Sequence, residues 1–453
     1  MENNGSVQRE SWGSKIGFIF AAAGSAIGLG NIWRFPYLAG ENGGAAFIFV
    51  YLLAVLFIGL SVMLAEFAIG RAGGLDAIGS FKKLAPGTPW WITGALGVFS
   101  AFVILSFYGV VGGWTIAYTF KSVSTPLTNL TMESFVNFIT NPLQPILWQV
   151  VFMALTIIIV ILGIQGGIEK WSKVLMPVIF IILLLLIIRG VTLPGSSAGL
   201  KFLLNPDFSK INGSVILSAL GQAFFSLSLG MGTMITYGSY LSKKENLPSS
   251  ALTVASLDTL IAILAGFAIF PALFAVGMDP AGGAGLVFAT LPSVFDKMPL
   301  GALFAAIFFI LLCFAALTSS ISILECVVAY LKDQLGWSRK NAAIVVGTLI
   351  TLIGVACSLS NGLWSDFTIV FPGKGALNLM DFLGALTDFL LSVGGLLICL
   401  FVAYVWKFNK ANAEVTNNGQ FTGVWVPIWN FIVKIVAPIV IGFVILNGLG
   451  IIG

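Results

Sequence analysis

Two glycine-rich strings carry the residues of this chain that could do chemistry. The first, GSAIGLGN, covers residues 24–31, and the second, GQAFFSLSLGMG, covers residues 221–232. Glycine forms helices poorly, so several glycines within two turns allow the backbone to unwind. Unwound backbone offers carbonyl groups to small hard cations and amide groups to anions at a half-helix N-terminus. Asn31, Ser226 and Ser228 add neutral oxygen ligands.

A third string, AALTSS, places three more oxygens on one face of a helix. The Ala315 carbonyl and the Thr318 and Ser319 hydroxyls stand at positions i, i+3 and i+4. Such hydroxyls often bond back to their own helix, and this alternative stays open. If they face the Gly24 and Ile27 carbonyls, the three strings predict a cation site of uncharged oxygens. Such a site suits a monovalent ion better than Ca²⁺ or Mg²⁺.

The composition places these strings inside a membrane protein. Of the 453 residues, 58% are apolar and only 9% are charged, and the mean hydropathy is +1.03. Soluble domains carry about 25% charged residues because their surface faces water. The small net charge of +4 leaves no electrostatic footprint for nucleic-acid binding. We therefore predict an all-α integral membrane protein with lipid over most of its surface.

Apolar runs long enough to cross the hydrocarbon number about eleven. With the N-terminus inside, fourteen Lys and Arg residues fall in inner segments and six in outer loops. We therefore predict a multi-pass protein of the cell membrane, with residues 1–14 as a cytoplasmic tail, no cleavable signal peptide and an extracellular C-terminus. The candidate spans are 15–40, 45–70, 88–122, 146–163, 172–190, 213–241, 250–277, 300–332, 340–358, 378–406 and 425–450.

The two glycine-rich strings stand five spans apart, in the first and sixth candidates. An isolated GxxxG, such as Gly24 and Gly28, favours close helix packing. Two such strings five spans apart favour broken helices instead. Because five is odd, the two helices run antiparallel, as in a secondary transporter built from a 5+5 inverted repeat with its site between the breaks. The predicted units are repeat one at 15–190, an extracellular connection at 191–212, repeat two at 213–406, and a cytoplasmic loop with one extra C-terminal helix at 407–453.

Ionisable residues inside spans are costly and therefore indicate function. Arg34 follows the first break on its outer side, and Asp381 begins span ten from the outside. We predict that they pair as an outer gate, with a purely structural pair as the alternative. Arg9 and Asp333, near the cytoplasmic face, are the predicted inner counterpart. The other ionisable residues in or near spans are Glu41, Glu66, Asp258, Glu325 and Asp388.

Enzymatic chemistry has little support in this chain. It contains no histidine, which removes the commonest general base and metal ligand. Ser226 and Ser228 have no nearby base, so a nucleophile would stay inactive. We predict that the chain is not an enzyme. The four cysteines lie in apolar runs without CxxC spacing and indicate buried small side chains rather than disulfides or a metal site; they are Cys313, Cys326, Cys357 and Cys399.

Five strings together resemble the neurotransmitter:sodium symporter family, and within it the bacterial amino acid transporters. They are GSAIGLGNIWRFP, ENGG, FAIGR, GQAFFSLSLGMGTMITYGSY and LTSS, and the resemblance runs from Arg9 through span ten. It implies a symporter of neutral hydrophobic L-amino acids, aliphatic and aromatic, that works by alternating access with two Na⁺ sites. A substrate carboxylate that is also a Na⁺ ligand implies direct coupling, because substrate and ion each complete the other's site.

The resemblance also implies roles for particular residues. The substrate-binding residues are Ala26, Gly28, Leu29, Gly30, Ile104, Tyr108, Phe225, Ser226, Ser228, Met231, Ser320 and Ile323. The first Na⁺ site comprises Ala26, Asn31, Ser226, Asp258 and the substrate carboxylate, and the second comprises Gly24, Ile27, Ala315, Thr318 and Ser319. The gates are Arg34 and Asp381 outside, with Phe225 as a lid, and Arg9, Asp333, Trp12 and Tyr240 inside. The residues expected to act in the conformational change are Glu66, Gly167 and Pro177.

Three departures from other members sharpen the expected substrate. Gly28 stands where monoamine carriers have Asp, which leaves room for a substrate carboxylate. Asp258 stands where chloride-dependent members have Asn. A fixed carboxylate could replace the chloride charge, so we predict transport that does not need chloride. Met231 is a flexible side chain between Gly230 and Gly232, and with Ile104, Ser320 and Ile323 it predicts an adaptable apolar pocket.

Span five carries Gly166, Gly167 and Pro177, which weaken helical hydrogen bonding. We hypothesise that its inner end opens to hydrate and release the second Na⁺; a static kink is the alternative.

Two other functions stay open at this stage. A sodium-coupled carrier of GABA or a related amine is the nearest alternative, and an ion channel is the alternative from another class. We expect the partners to be a hydrophobic L-amino acid, Na⁺ and the lipid bilayer, without nucleic acid or an obligate protein partner.

Overall fold

The structure, a computed structural model, describes residues 10–280 and 283–452, and they are almost entirely helical. This confirms the predicted all-α class. Nine helices in the described part of the chain are long and apolar enough to span a membrane. They are α3 (Ala45–Gly73), α5 (Trp91–Ser124), α7 (Gln144–Ile161), α8 (Ile164–Val191), α12 (Leu247–Ala275), α14 (Gly301–Leu335), α15 (Arg339–Leu359), α16 (Leu379–Val415) and α17 (Trp425–Gly448).

Shorter elements complete the chain. The remaining helices are α1 (Lys15–Ala26), α2 (Gly30–Glu41), α4 (Ala77–Leu84), α6 (Met132–Ile139), α9 (Ser197–Leu204), α10 (Gly213–Ser226), α11 (Thr233–Gly238) and α13 (Thr290–Asp296). Single helical turns cover Leu127–Asn129, Phe208–Lys210 and Gly283–Leu286, and two strands cover Thr368–Phe371 (β1) and Gly375–Asn378 (β2).

The first predicted span is broken. Ser14 caps α1 by accepting a hydrogen bond from the Gly17 amide, and the helix ends at Ala26. Ile27 then adopts an extended backbone, and α2 leaves the break at 50° to α1. The two helices together pass as one bent span.

The sixth predicted span is also broken, over residues 227–232 between α10 and α11. Ser228, Gly230 and Gly232 all have positive φ values there, of 54°, 78° and 78°. Glycine suits such a conformation because it has no Cβ. At position 230 a Cβ would also lie 2.2 Å from the Leu391 carbonyl oxygen. The α10–α11 pair is shorter than the other spans, so the number eleven stays a prediction.

Helix lengths modify the predicted boundaries. α5 has 34 residues, or about 51 Å at 1.5 Å per residue, which exceeds the roughly 30 Å of hydrocarbon. α14 and α16 are longer still, with 35 and 37 residues. α8 starts at Ile164, eight residues before the predicted position 172, because a π-helical segment precedes its regular part.

The core positions the two breaks. α1 packs against α8, α12 and α14, and α14 packs along α5, so the first break is enclosed on several sides. Long apolar side chains face outward on α3, α7 and α8, as lipid contact requires. A hairpin that the sequence did not predict, β1–β2, pairs Thr368 with Asn378 and leads into α16.

Candidate substrate and ion site

The first break meets α5 and α14 at a small cradle. The Leu29 amide donates to the Tyr108 hydroxyl at 3.2 Å, and the Gly28 amide donates to Asn31 Oδ1 at 3.1 Å. A Cβ at position 28 would lie 2.4 Å from Ser319 Oγ and 2.8 Å from Tyr108 Oη, so only glycine fits. The structure thus brings together the amide and hydroxyl groups that were expected to bind a carboxylate.

A buried cluster of oxygens lies beside this cradle. Asn31 Nδ2 donates to Asp258 Oδ1 at 2.7 Å and to Ser226 Oγ at 3.0 Å. Ser226 Oγ donates to Asp258 Oδ2 at 2.8 Å. The Tyr51 hydroxyl, which the sequence did not single out, reaches both Ser226 Oγ and Asp258 Oδ2 at 3.3 Å. Ala26, the fourth residue expected here, ends α1 directly before the break. We call Asn31, Ser226 and Asp258 the carboxylate cluster.

A second cluster lies between α1 and α14. Ser319 Oγ is 3.3 Å from both the Gly24 and the Ile27 carbonyl oxygens. Thr318 Oγ1 lies 3.4 Å from the Ile27 carbonyl and also contacts the Ala315 carbonyl of its own helix at 3.0 Å. The back-bonding alternative therefore holds in part for Thr318, whereas Ser319 reaches across to the break. We call these five residues the neutral cluster.

Both clusters differ from divalent or transition-metal sites. No group of three or more His, Cys, Asp or Glu side chains that could hold a metal occurs within residues 10–280 and 283–452. Uncharged oxygens with at most one carboxylate instead fit a small monovalent cation.

Polar contacts join the two breaks. Ser228 Oγ donates to the Ser25 carbonyl at 3.0 Å, and Gln222 Nε2 donates to the Gly30 carbonyl at 2.8 Å. Glu66 Oε1 accepts from the Gly230 amide at 2.7 Å, which ties α3 to the second break. The sequence did not identify Gln222, although it belongs to the second glycine-rich string.

The outer closure differs from the predicted one. Arg34 pairs with Asp388 at 3.2 Å, and the ion pairs of the described residues do not join it to Asp381. Asp381 lies in the exposed first turn of α16, whereas Asp388 lies seven residues, or about 10 Å, further along the helix. Arg34 is at that deeper level because its guanidinium stacks on the Phe225 ring, 4.7 Å from the centroid. The predicted Arg34–Asp381 pair is therefore corrected to Arg34–Asp388.

A cavity of about 340 Å³ borders this closure and reaches Leu29 and Tyr108 of the cradle. Asp381 lines the cavity together with Arg34 and Asp388, although it does not form the ion pair. Lys374, at the turn of the β1–β2 hairpin, approaches Asp388 at 3.7 Å.

Trp12 and Tyr240, the residues predicted for the inner gate, both make polar contacts. Trp12 Nε1 donates to the Tyr237 carbonyl at 3.1 Å, and the Tyr240 hydroxyl donates to Glu325 Oε1 at 2.7 Å. Arg9 lies outside the described residues. Its predicted partner Asp333 accepts from the Asp76 amide at 2.8 Å.

Arg339 supplies an inner ion pair that the sequence did not identify. Its guanidinium binds the fully buried Glu325 and also Glu10. Burial opposes ionisation of Glu10, yet Arg339 and Lys332 together hold the pKa of that carboxyl below its ordinary value. Glu10, Glu325, Lys332 and Arg339 thus form one network of ion pairs.

The four residues that were expected to contact the substrate side chain are buried. Ile104, Met231, Ser320 and Ile323 are each at most 3% exposed. The Ser320 hydroxyl lies 2.8 Å from Thr156 Oγ1 of α7 and also bonds within α14. Contact of these four residues with a substrate stays a prediction.

The inner end of α8 has the predicted weak points. A π-helical segment covers Ile164–Glu169 after Gly163, whose φ is 84°. A Cβ at Gly167 would lie 2.1 Å from the Ile159 carbonyl oxygen, and Pro177 lies inside the regular helix.

A bent first helix, a second broken helix and oxygen clusters at the breaks define a secondary transporter. The chain belongs to the sodium:neurotransmitter symporter family, whose model matches residues 9–143 and 128–451. It is similar to the sodium-dependent transporter YhdH of Bacillus subtilis, with 42% identity over 97% of this chain and 98% of that protein. A sodium-dependent transporter of Haemophilus influenzae is 39% identical over 98% of each chain.

Among solved structures, the chain is similar to MhsT in complex with L-phenylalanine. The two chains are 48% identical with a TM-score of 0.89, over 97% of this chain and all (100%) of the other. The family match and this similarity confirm the predicted family and fold.

Proposed function

We propose that this chain imports neutral hydrophobic L-amino acids, aliphatic and aromatic, together with Na⁺ by alternating access. One observation carries the proposal: the Leu29 amide and the Tyr108 hydroxyl converge directly beside the carboxylate cluster. This arrangement suits a substrate carboxylate that touches both protein donors and a bound cation. The L-phenylalanine bound to MhsT supports the substrate class.

The substrate lies across both breaks in this proposal. Its carboxylate takes the Leu29 and Gly30 amides and the Tyr108 hydroxyl. Its amine, as a cation, takes the carbonyls that end α1 and α10, at Ala26, Phe225 and Ser226, with the Ser228 hydroxyl nearby. The apolar side chain points toward Ile104, Met231, Ser320 and Ile323.

Two Na⁺ ions accompany the substrate. The first binds the carboxylate cluster with Ala26 and the substrate carboxylate, and the second binds the neutral cluster. Because the first ion and the substrate share a ligand, binding of either raises the affinity for the other. Transport is independent of chloride, since Asp258 already supplies a fixed negative charge beside the first ion.

The two closures alternate during transport. Arg34, Asp388 and Phe225 open outward, and Trp12, Tyr240 and the Arg339 network open inward, with the N-terminus in the cytoplasm and the C-terminus outside. Opening of α8 near Gly167 and Pro177 admits water to the neutral cluster and releases the second Na⁺.

Uptake into proteoliposomes tests the proposal. Purified protein is reconstituted, and uptake of labelled phenylalanine, leucine, GABA and serotonin is measured under an inward Na⁺ gradient, with K⁺ replacing Na⁺ as the control. Gluconate replaces chloride in a parallel series. We expect phenylalanine and leucine to accumulate only with the Na⁺ gradient and equally well in gluconate. Preferential GABA uptake would redirect the substrate assignment, and accumulation without Na⁺ would remove the mechanism.

A further inference from the structure

The carboxylate of Glu169 lies against the beginning of α1. Glu169 ends the π-helical segment of α8 and is only 3% exposed. Its Oε2 accepts from the Gly13 amide at 2.7 Å, and its Oε1 accepts from the Ser14 hydroxyl at 2.8 Å. Lys173, one turn further along α8, also donates to Oε1, at 2.6 Å. Two of these three donors belong to the segment that leads into α1.

The surface of α1 is shaped for this carboxylate. A Cβ at Gly17 would lie 2.1 Å from Glu169 Oε1 and 2.4 Å from its Cγ, so glycine is required for the side chain to fit. Hydrogen bonds to a charged acceptor are stronger than neutral ones. A second contact runs parallel to it, because Gln165 Nε2 donates to the Ser11 carbonyl at 2.9 Å. The π-helical segment therefore holds the start of α1 at two points.

Both α1 and the π-helical segment of α8 take part in the proposed release of the second Na⁺. α1 carries Gly24 and ends at the first break, so movement of α1 away from α14 separates the Gly24 carbonyl from Ser319. The holding segment lies next to Gly163 and contains Gly167, where α8 is least regular. Unwinding there displaces Glu169 from Gly13 and Ser14.

We propose that Glu169 is a positioning residue that latches the inner half of α1 closed until the inner end of α8 unwinds. With this latch, water would enter the neutral cluster when α1 moves away from α14. It deepens the alternating-access proposal above and rests on it, but it predicts a movement of α1 that can be measured without any substrate.

Hydrogen–deuterium exchange of the full-length protein in nanodiscs tests the latch. The readout is the exchange rate of the amides of residues 11–26 in K⁺ buffer and in Na⁺ buffer. In K⁺, we expect about tenfold faster exchange in Glu169→Ala and a smaller increase in Glu169→Gln, which keeps an acceptor but loses the charge. Lys170→Ala is the matched control, because Lys170 is an exposed neighbour on the same helix, and it should leave the rate unchanged.

Gly17 allows a double-mutant cycle that separates the latch from a general loss of stability. Gly17→Ala collides with Glu169, so it should accelerate exchange of α1 about as much as Glu169→Ala does. In the Glu169→Ala background the same substitution has room and favours the helix, so it should add no further acceleration. Equal effects of Gly17→Ala in both backgrounds, or unchanged exchange in Glu169→Ala, would overturn the proposal.

The outcome is distinct from that of the transport assay. If the wild-type protein accumulates phenylalanine with Na⁺ but the exchange rates do not follow the cycle, the latch is wrong and the symport function stands. If the exchange rates follow the cycle and uptake ignores Na⁺, the latch stands and the proposed coupling is wrong.

Discussion

The carboxylate cluster and the neutral cluster border the same break but are built differently. The first joins α2, α10 and α12 around Asp258, a buried carboxylate. The second joins only α1 and α14 and has no ionisable side chain among its ligands. The first lies beside the carboxylate cradle, whereas the second lies beside the helix that Glu169 holds. In the proposed mechanism, the first cluster couples substrate to Na⁺ and the second controls inner opening.

The charges of the two clusters support these different roles. Removing a carboxylate from water costs several kcal/mol unless a cation compensates it. Asp258 is fully buried, and within the described residues its hydrogen-bond donors, Asn31, Ser226 and Tyr51, are all neutral. A bound Na⁺ would supply the missing positive charge. The neutral cluster offers only dipoles, so we expect it to bind its ion less tightly and to release it first.

The largest expected effect comes from removing the charge of the carboxylate cluster. Asp258→Asn keeps the size of the side chain but leaves Na⁺ without a fixed counter-charge. We expect Na⁺-driven phenylalanine uptake in gluconate to fall about a hundredfold, or about 2.7 kcal/mol, as for other buried charge pairs that lose one partner. Chloride should restore part of the activity, because it can supply the lost charge.

Thr253→Val provides the matched control for this change. Thr253 lies at an exposed position of α12, and its hydroxyl donates to the Ser249 carbonyl of the same helix. The control should transport like the wild type in both buffers. If Asp258→Asn retained full activity in gluconate, Asp258 would not replace chloride, and the contrast between the two clusters would lose its electrostatic basis.

The second prediction tests whether substrate binding and Na⁺ binding are coupled through the backbone at Gly28. Gly28→Ala places a Cβ against Ser319 Oγ of the neutral cluster and against Tyr108 Oη of the cradle. Overpacking of this kind costs about 1–3 kcal/mol, so we expect phenylalanine affinity to fall about 5-fold to 140-fold and Na⁺ affinity to fall with it. Equilibrium binding to purified protein measures the affinities for phenylalanine and Na⁺.

Gly221→Ala is the control, because a Cβ there meets open space. If Gly28→Ala lowered only the substrate affinity, the two clusters would be independent.

Sequence reasoning found the ligands whose types are unusual inside a membrane. Glycine-rich breaks, Asn31 and Asp258 stand out in apolar runs, and the structure brings them together. The AALTSS string left a choice between a site and back-bonding, and the structure divides it between Thr318 and Ser319. Such signals are local in the chain, so they can be recognised without knowing which helices are neighbours.

The partners that sequence reasoning missed depend on distant packing. Asp381 and Asp388 are both acidic residues of α16, and only the depth of Arg34 against Phe225 selects Asp388. Tyr51 is one aromatic residue in a long apolar run, and its hydroxyl gains meaning only because α3 packs on α10 beside Asp258. Neither contact can be predicted from the spacing of residues along the chain.

The third prediction concerns the neutral cluster. Ser319→Ala removes the hydroxyl that contacts the Gly24, Ser25 and Ile27 carbonyls. We expect about tenfold weaker Na⁺ activation of uptake, since one ligand contributes about 1.4 kcal/mol, while the order of preference among amino acids stays unchanged. Ser322→Ala on the same helix is the control, because its hydroxyl donates to the Ser319 carbonyl of its own helix. A changed substrate preference in Ser319→Ala would contradict the division of roles.

The smallest effect concerns the hydroxyl that supports the carboxylate cluster from α3. Tyr51→Phe removes two long hydrogen bonds, of 3.3 Å each, to Ser226 and Asp258 while keeping the buried ring. A net contribution of about 0.5–1 kcal/mol corresponds to roughly two- to fivefold weaker Na⁺-dependent phenylalanine binding. Tyr404→Phe, at a side chain that is 55% exposed, serves as the control and should bind normally. Because these two hydrogen bonds of the Tyr51 hydroxyl both go to the carboxylate cluster, their loss should weaken substrate and Na⁺ binding together and leave exchange of α1 in K⁺ buffer unchanged. Faster exchange of α1 would mean that the two clusters are mechanically joined and that their roles are not separate.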